Sequence, residues 1–185
     1  MAAPNDMNIH NLSGKWALNR SLSDDISPVL ALQGVNWIVR AALSRAPISL
    51  TISHVRNEAS GVETVTTTQH SMGRVTQEER ALDWTETTSS HPIFGQIVTK
   101  SRISALDDSK LKPFLCQNWE DNTSEVIEAQ SVGPGWTSWQ IWGFQVIDGK
   151  RYHVRNAIVQ KGKDFTEAAS EFVEFKMVYD RIGEM

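Results

Sequence analysis

Seven tryptophans against two tyrosines are the side chains of this chain best placed to act on a small molecule. An indole offers a broad apolar face and one N–H that only donates a hydrogen bond. Such a group can wall an enclosed space, and it can polarise a carbonyl oxygen held against it. Trp139 and Trp142 stand three apart in one strand-like segment, so they point to opposite faces and one of them can line an interior. The apolar run Trp142, Phe144, Val146 favours the face of Trp142. Trp84 shares a face with Leu82, which favours an inward position, either packing at a base or touching a ligand. Trp16 reads as structural filling. Trp37 lies in a short helical pattern, where packing and gating are both open.

Other chemistries find little support. The five histidines (His10, His54, His70, His91, His153) show no paired ligand spacing, and the single Cys116 has no partner cysteine. His54 and His70 are the one pair that neighbouring strands would bring together, and the reading is against a metal. Cys116 reads as a small core residue rather than a nucleophile. The chain has no phosphate-cradling glycine loop, no dinucleotide fingerprint and no Gly-x-Ser-x-Gly elbow. The pairs Asp24-Asp25 and Asp107-Asp108 read as caps or solvated carboxylates. No cofactor is implied.

The elements that must position these residues come next. At 185 residues the chain fits one domain, with residues 1–10 read as a frayed polar tail and 11–185 as the domain. A net charge of −4 argues against nucleic acid or an anionic membrane surface as the main partner. No apolar stretch is long enough for a membrane-spanning helix. The polar start does not read as a secretory signal, and one cysteine fits a reducing compartment, so a cytoplasmic location is expected.

A first strand is expected over residues 12–20. A helix begins at Ser27-Pro28 and stops at Gly34, and a second runs over 36–45 until Pro47. Strands follow at 48–55, 61–69, 74–87, 93–105, 113–119, 124–132, 136–147 and 151–161, and the last segment ends at Arg181. Asp148-Gly149-Lys150 is a strong hairpin turn. Ten strands in hairpin order, with no crossover helices, imply an antiparallel meander, and closing it removes its exposed edges. The fold class expected is therefore all-β: a ten-stranded antiparallel up-and-down barrel with a short helix-turn-helix lid after the first strand.

This order of elements resembles the calycins, and most closely the intracellular fatty-acid-binding proteins. The residues that carry the likeness are Leu12-Ser13-Gly14-Lys15-Trp16, Val29-Leu30-Ala31-Leu32-Gln33-Gly34-Val35, Arg40, Asp148-Gly149-Lys150 and Val178-Tyr179-Asp180-Arg181. The resemblance implies a barrel with a ligand-holding interior and a gating lid. It also implies a carboxylate anchor of two arginines and a tyrosine on the last strands. Tyr179 matches the tyrosine, Met177 stands where one arginine is expected, and Asn156 aligns with the other. A slip of one residue would turn Arg155 inward instead. The same alignment favours Trp139 over Trp142 as the inward indole, so the two readings of that strand stay open.

The ligand-facing residues expected are thus Trp37, Trp84, Trp139, Trp142, Asn156, Met177 and Tyr179. With both anchor charges absent, they favour a hydrophobic, neutral small molecule with a few hydrogen-bonding groups. Two functions fit: a carrier for a lipid or specialised metabolite, or a cofactor-free cyclase or isomerase acting on a polyketide- or terpenoid-type intermediate. For the second, holding a flexible chain near its reactive conformation supplies much of the catalysis.

Overall fold

A computed structural model of the chain describes residues 1–106, 111–165, 169 and 171–185. Its strands are β1 (Gly14–Leu18), β2 (Ile48–Arg56), β3 (Glu63–Ser71), β4 (Arg74–Ala81), β5 (Thr87–His91), β6 (Gly95–Ala105), β7 (Glu125–Gly133), β8 (Trp136–Ile147), β9 (Lys150–Lys161) and β10 (Phe172–Gly183). Two helices, α1 (Ser27–Leu32) and α2 (Trp37–Leu43), follow β1. The sheet order is β4-β3-β2-β1-β10-β9-β8-β7-β6-β5, with every described pair antiparallel. Joining β1 to β10 curls the meander into a ten-stranded, nearly closed barrel. The break falls between β4 and β5. There the Trp84 N–H donates to Ser101 O at 2.8 Å, and Asp83 and Arg102 form an isolated bridge.

The lid follows from local chemistry. Pro28 fits the first turn of α1 because its missing N–H has no partner there anyway. Gly34 takes φ +79°, its N–H donates to Ala31 O, and the Val35 N–H reaches Leu30 O at 2.9 Å. That pair of bonds closes α1, and its left-handed residue favours glycine. Asn36 then caps α2 by accepting from the Val39 N–H at 3.1 Å. Val29 and Leu30 are buried, whereas α2 buries no residue fully.

Three expectations are corrected. The strand expected over 74–87 ends at Ala81, and Trp84 sits in the left-handed region at φ +66°, which no continuous strand accommodates. The strand expected over 113–119 is a 3-10 turn, Pro113–Cys116, because proline supplies no N–H to a ladder and suits a helical start. The count of ten survives because β5 forms in its place. Residues 1–10 are not a frayed tail. Ala3, Met7 and Ile9 are buried in one cluster with Leu12, Trp16 and Phe144. The Ala3 N–H donates to Arg151 O at 2.7 Å and the Arg151 guanidinium to Pro4 O at 2.6 Å. Burial of these apolar side chains is what offsets the ordering of this segment.

The 3-10 turn has a further effect. Leu111 and Leu115 pack on the outer face of the barrel against Val126, Ile141 and Ile158. Strands β7 to β9 are therefore buried on both faces, as strands covered on each side must be. Among the described residues no helix is long and apolar enough to cross a membrane. The pair Asp107-Asp108 lies outside the described residues.

Candidate functional site

The register of the last three strands decides which side chains meet inside. Trp142 pairs with Arg155, and Phe144 with His153. Arg155 pairs with Met177, and His153 with Tyr179. Paired residues share a face. Trp142, Phe144 and Tyr179 belong to the inner cluster around Trp16, with Met177 packed against it, so all of these side chains face inward.

Arg155 is the unusual member. It is 8% exposed, and its Cζ lies 3.8 Å from the centroid of the Trp142 ring and 5.4 Å from that of Tyr179. Its Nε–H donates to His153 Nε2 at 3.3 Å. Its Nη2 is buried with no hydrogen-bond partner among the described residues. Burial lowers the guanidinium pKa, and the neighbouring Arg80 charge adds to the lowering, while the Glu78 carboxylate acts to raise it. The charge is seated on an indole face, a favourable contact for a guanidinium removed from water.

His153 holds the arginine from below. Fully buried, its imidazole has its pKa pushed down to about 3, first by burial and then by the adjacent Arg155 charge. The ring is therefore neutral at ordinary pH. Its Nδ1–H donates to Gly143 O at 3.1 Å, which leaves the Nε2 lone pair for Arg155. The ring also stacks on Tyr179, with centroids 5.6 Å apart. Burial raises the Tyr179 pKa, so the phenol keeps its proton, and the hydroxyl donates to Met177 Sδ at 3.4 Å.

A second guanidinium enters from across the barrel break. Arg80, on β4, donates from Nη1 to Ser101 Oγ at 3.0 Å and from Nη2 to Ser131 Oγ at 3.1 Å. It also pairs with Glu78 at 2.7 Å, and its Cζ is 5.8 Å from the Trp142 ring centroid. Its Nε is buried without a partner among the described residues. Arg80 thus joins β4 to β6 and β7 where the backbone ladder is interrupted. It also adds a second donor beside Trp142. Glu78 pairs with Arg80, whereas Arg155 has no ion-pair partner among the described residues and lies on the Trp142 indole.

The expected ligand-facing residues divide. Trp142, Met177 and Tyr179 come together inside. Asn156 does not: on the outer face, its Nδ2–H donates to Gln117 O at 3.1 Å and its Oδ1 accepts from Gln145 at 3.4 Å, so it clamps the turn that covers the sheet. Trp139 also faces outward, donating to Glu128 Oε1 at 2.9 Å and meeting Phe165 edge-on. Trp84 lies outside β6 beneath Arg102 and Lys100, whose charges sit 4.4 and 5.1 Å from its ring. Trp37 is 71% exposed on α2. His54 and His70 do not meet: His54 Nε2 bonds Glu63 at 3.0 Å, and His70 pairs with Ser49 on the opposite face of β2. The expectation of a neutral interior rested on an inward Asn156. With Arg155 and Arg80 inside, it gives way to a site that can hold a hydrogen-bond acceptor or an anion. Arg80, His153 and Trp136 escaped the sequence reading. Arg80 sits in the charged run Glu78-Glu79-Arg80, which has no alternation to mark an inward face.

No protein-family model matches the chain. Among solved structures, a Schistosoma mansoni fatty acid binding protein in complex with arachidonic acid superposes with a TM-score of 0.58 at 13% identity, covering 92% of this chain and 95% of its own. Echinococcus granulosus fatty-acid-binding protein 1 gives 0.56 at 11% identity, covering 92% and 97%. The fold is that of a fatty-acid-binding-protein-like barrel. Among curated proteins, this chain is 29% identical to a probable pericyclase, scpY, of Mollisia scopiformis, across 98% of this chain and 95% of the relative. It is also 29% identical to pericyclase pydY of an Acremonium species, across 99% and 98%.

Proposed function

We propose that this calycin barrel is a cofactor-free cyclase of the pericyclase kind, acting on a polyketide- or terpenoid-type chain held inside the barrel. The observation that carries the reading is the Arg155 guanidinium, buried on Trp142 with an unshared Nη2. A buried donor of this kind is matched by an acceptor oxygen of the substrate, such as a carbonyl conjugated to an alkene. Hydrogen bonds from a cation withdraw electron density from that alkene and stabilise the charge that develops as a diene adds to it. In such a ring closure three π bonds become one π bond and two σ bonds. No atom, proton or electron is exchanged, so the product is an isomer of the substrate. The barrel walls fold the chain, and orientation supplies several further kcal/mol. The two relatives named as pericyclases support the reading.

A carrier reading draws on one observation of its own. Arg155 beside Tyr179 would also hold a fatty carboxylate, and the solved neighbours include a fatty acid complex. Native mass spectrometry of the protein purified from its own organism, followed by identification of any released molecule, separates the two. A cyclised, oxygenated metabolite or an empty barrel is the expected result. A retained straight-chain fatty acid in stoichiometric amount would overturn the cyclase reading.

A further inference from the structure

We infer that the indole N–H of Trp136 is a second ligand anchor at the lid end of the barrel. It would take an acceptor oxygen at the far end of the molecule whose head lies at Arg155. The inference rests on the reading that the interior holds such a molecule.

Trp136 opens β8 and is 3% exposed. Its indole lies across Gly133, its partner on β7: a Cβ there would stand 2.2 Å from Trp136 Cε2 and 2.7 Å from Nε1. Gly133 shares the inward face of β7 with Ala129, so the ring occupies barrel interior rather than outer surface. Around it stand Val29 of α1, Ile97, Ala157, Val159 and Phe175, and Phe94 meets the ring edge-on at 5.7 Å. None of these side chains offers an acceptor, and Nε1 is buried with no partner among the described residues. Native interiors rarely leave such a donor unmatched. An indole N–H cannot accept, so its partner is a carbonyl, ester or ether oxygen.

Spacing sets the shape of the molecule. Trp136 and Trp142 are six residues apart on one face of β8. At the rise of an extended strand this is about 20 Å. Between the two indoles lie Ala157, Val159 and Phe175 on the neighbouring strands and Ser138 and Gln140 on β8 itself, Gln140 accepting from the Trp142 N–H at 3.0 Å. The spacing therefore fits an elongated molecule with an acceptor near each end.

Calorimetric titration with two probes tests this: hexadecanoate, polar at one end, and the monomethyl ester of hexadecanedioate, which adds an ester carbonyl at the other. The native protein is expected to bind the monoester about tenfold more tightly, the effect of satisfying one buried donor. Trp136→Phe is expected to bring the ratio of the two affinities to about one, and Arg155→Met to weaken both probes. Equal affinities in the native protein, or a Trp136→Phe variant that weakens both probes alike, would overturn the anchor while leaving the reading of Arg155 in place. No binding of either probe, or no effect of Arg155→Met, would overturn that reading and the anchor with it.

Discussion

Arg155→Met is expected to lower turnover by about a hundredfold or more while leaving the urea-unfolding free energy unchanged or slightly raised. The loss follows from removing a preorganised cationic donor, which costs on the order of 10²–10³ in rate where such groups have been deleted. The stability result follows from the cost of keeping the group. Arg155 is buried, its Nη2 has no partner among the described residues, and its Nε is held by a single bond to the neutral His153. A buried charge without a paired carboxylate of its own is weakly stabilising at best. Methionine keeps the apolar length against Trp142 and leaves His153 with an unused acceptor, a modest loss. Activity and urea titrations on the same preparation check both halves. A variant that loses stability by several kcal/mol and keeps its turnover would make Arg155 a packing residue.

Gly133→Ala is expected to destabilise the fold by about 2–3 kcal/mol, well above an ordinary glycine replacement in a strand. The new Cβ would lie within 2.2 Å of the Trp136 ring. That ring is hemmed by Phe94 and by the apolar cluster that includes Val29 of the lid. It cannot move without disturbing the seat of α1. The cause is tested by a double-mutant cycle: in a Trp136→Leu background the same substitution should cost much less, because the obstructing ring is gone. Equal costs in both backgrounds would refute the steric account.

The elements that follow local rules were legible in the sequence. The Gly34 stop and the Asp148-Gly149 turn each depend on one or two residues, and both stand as expected, with Asp148 and Gly149 at φ +49° and +73°. The face of β8 was not legible. Trp139 and Ile141 face a 3-10 turn that covers the outer sheet, while Trp142 and Phe144 face the interior, so both faces are apolar and period-two alternation disappears. With that covering on the outside and the core within, Asn156 and Arg155 are both buried, and burial alone could not say which pointed inward. Resemblance chose Asn156; the register of β9 against β8 and β10 chose Arg155. The N-terminal segment misled for another reason. Its apolar residues Ala3, Met7 and Ile9 are too scattered to show a period, yet each finds a place against the barrel.

The central claim is that the barrel converts its guest rather than storing it. The most direct measurement mixes the purified protein, at a small fraction of the substrate concentration, with a linear polyene bearing a conjugated dicarbonyl head. Polyene absorbance and product mass are then followed against a protein-free control. The account predicts many equivalents of an isomer of unchanged mass, formed faster than in the control and enriched in one stereoisomer. Stoichiometric binding with the linear polyene recovered unchanged would contradict it.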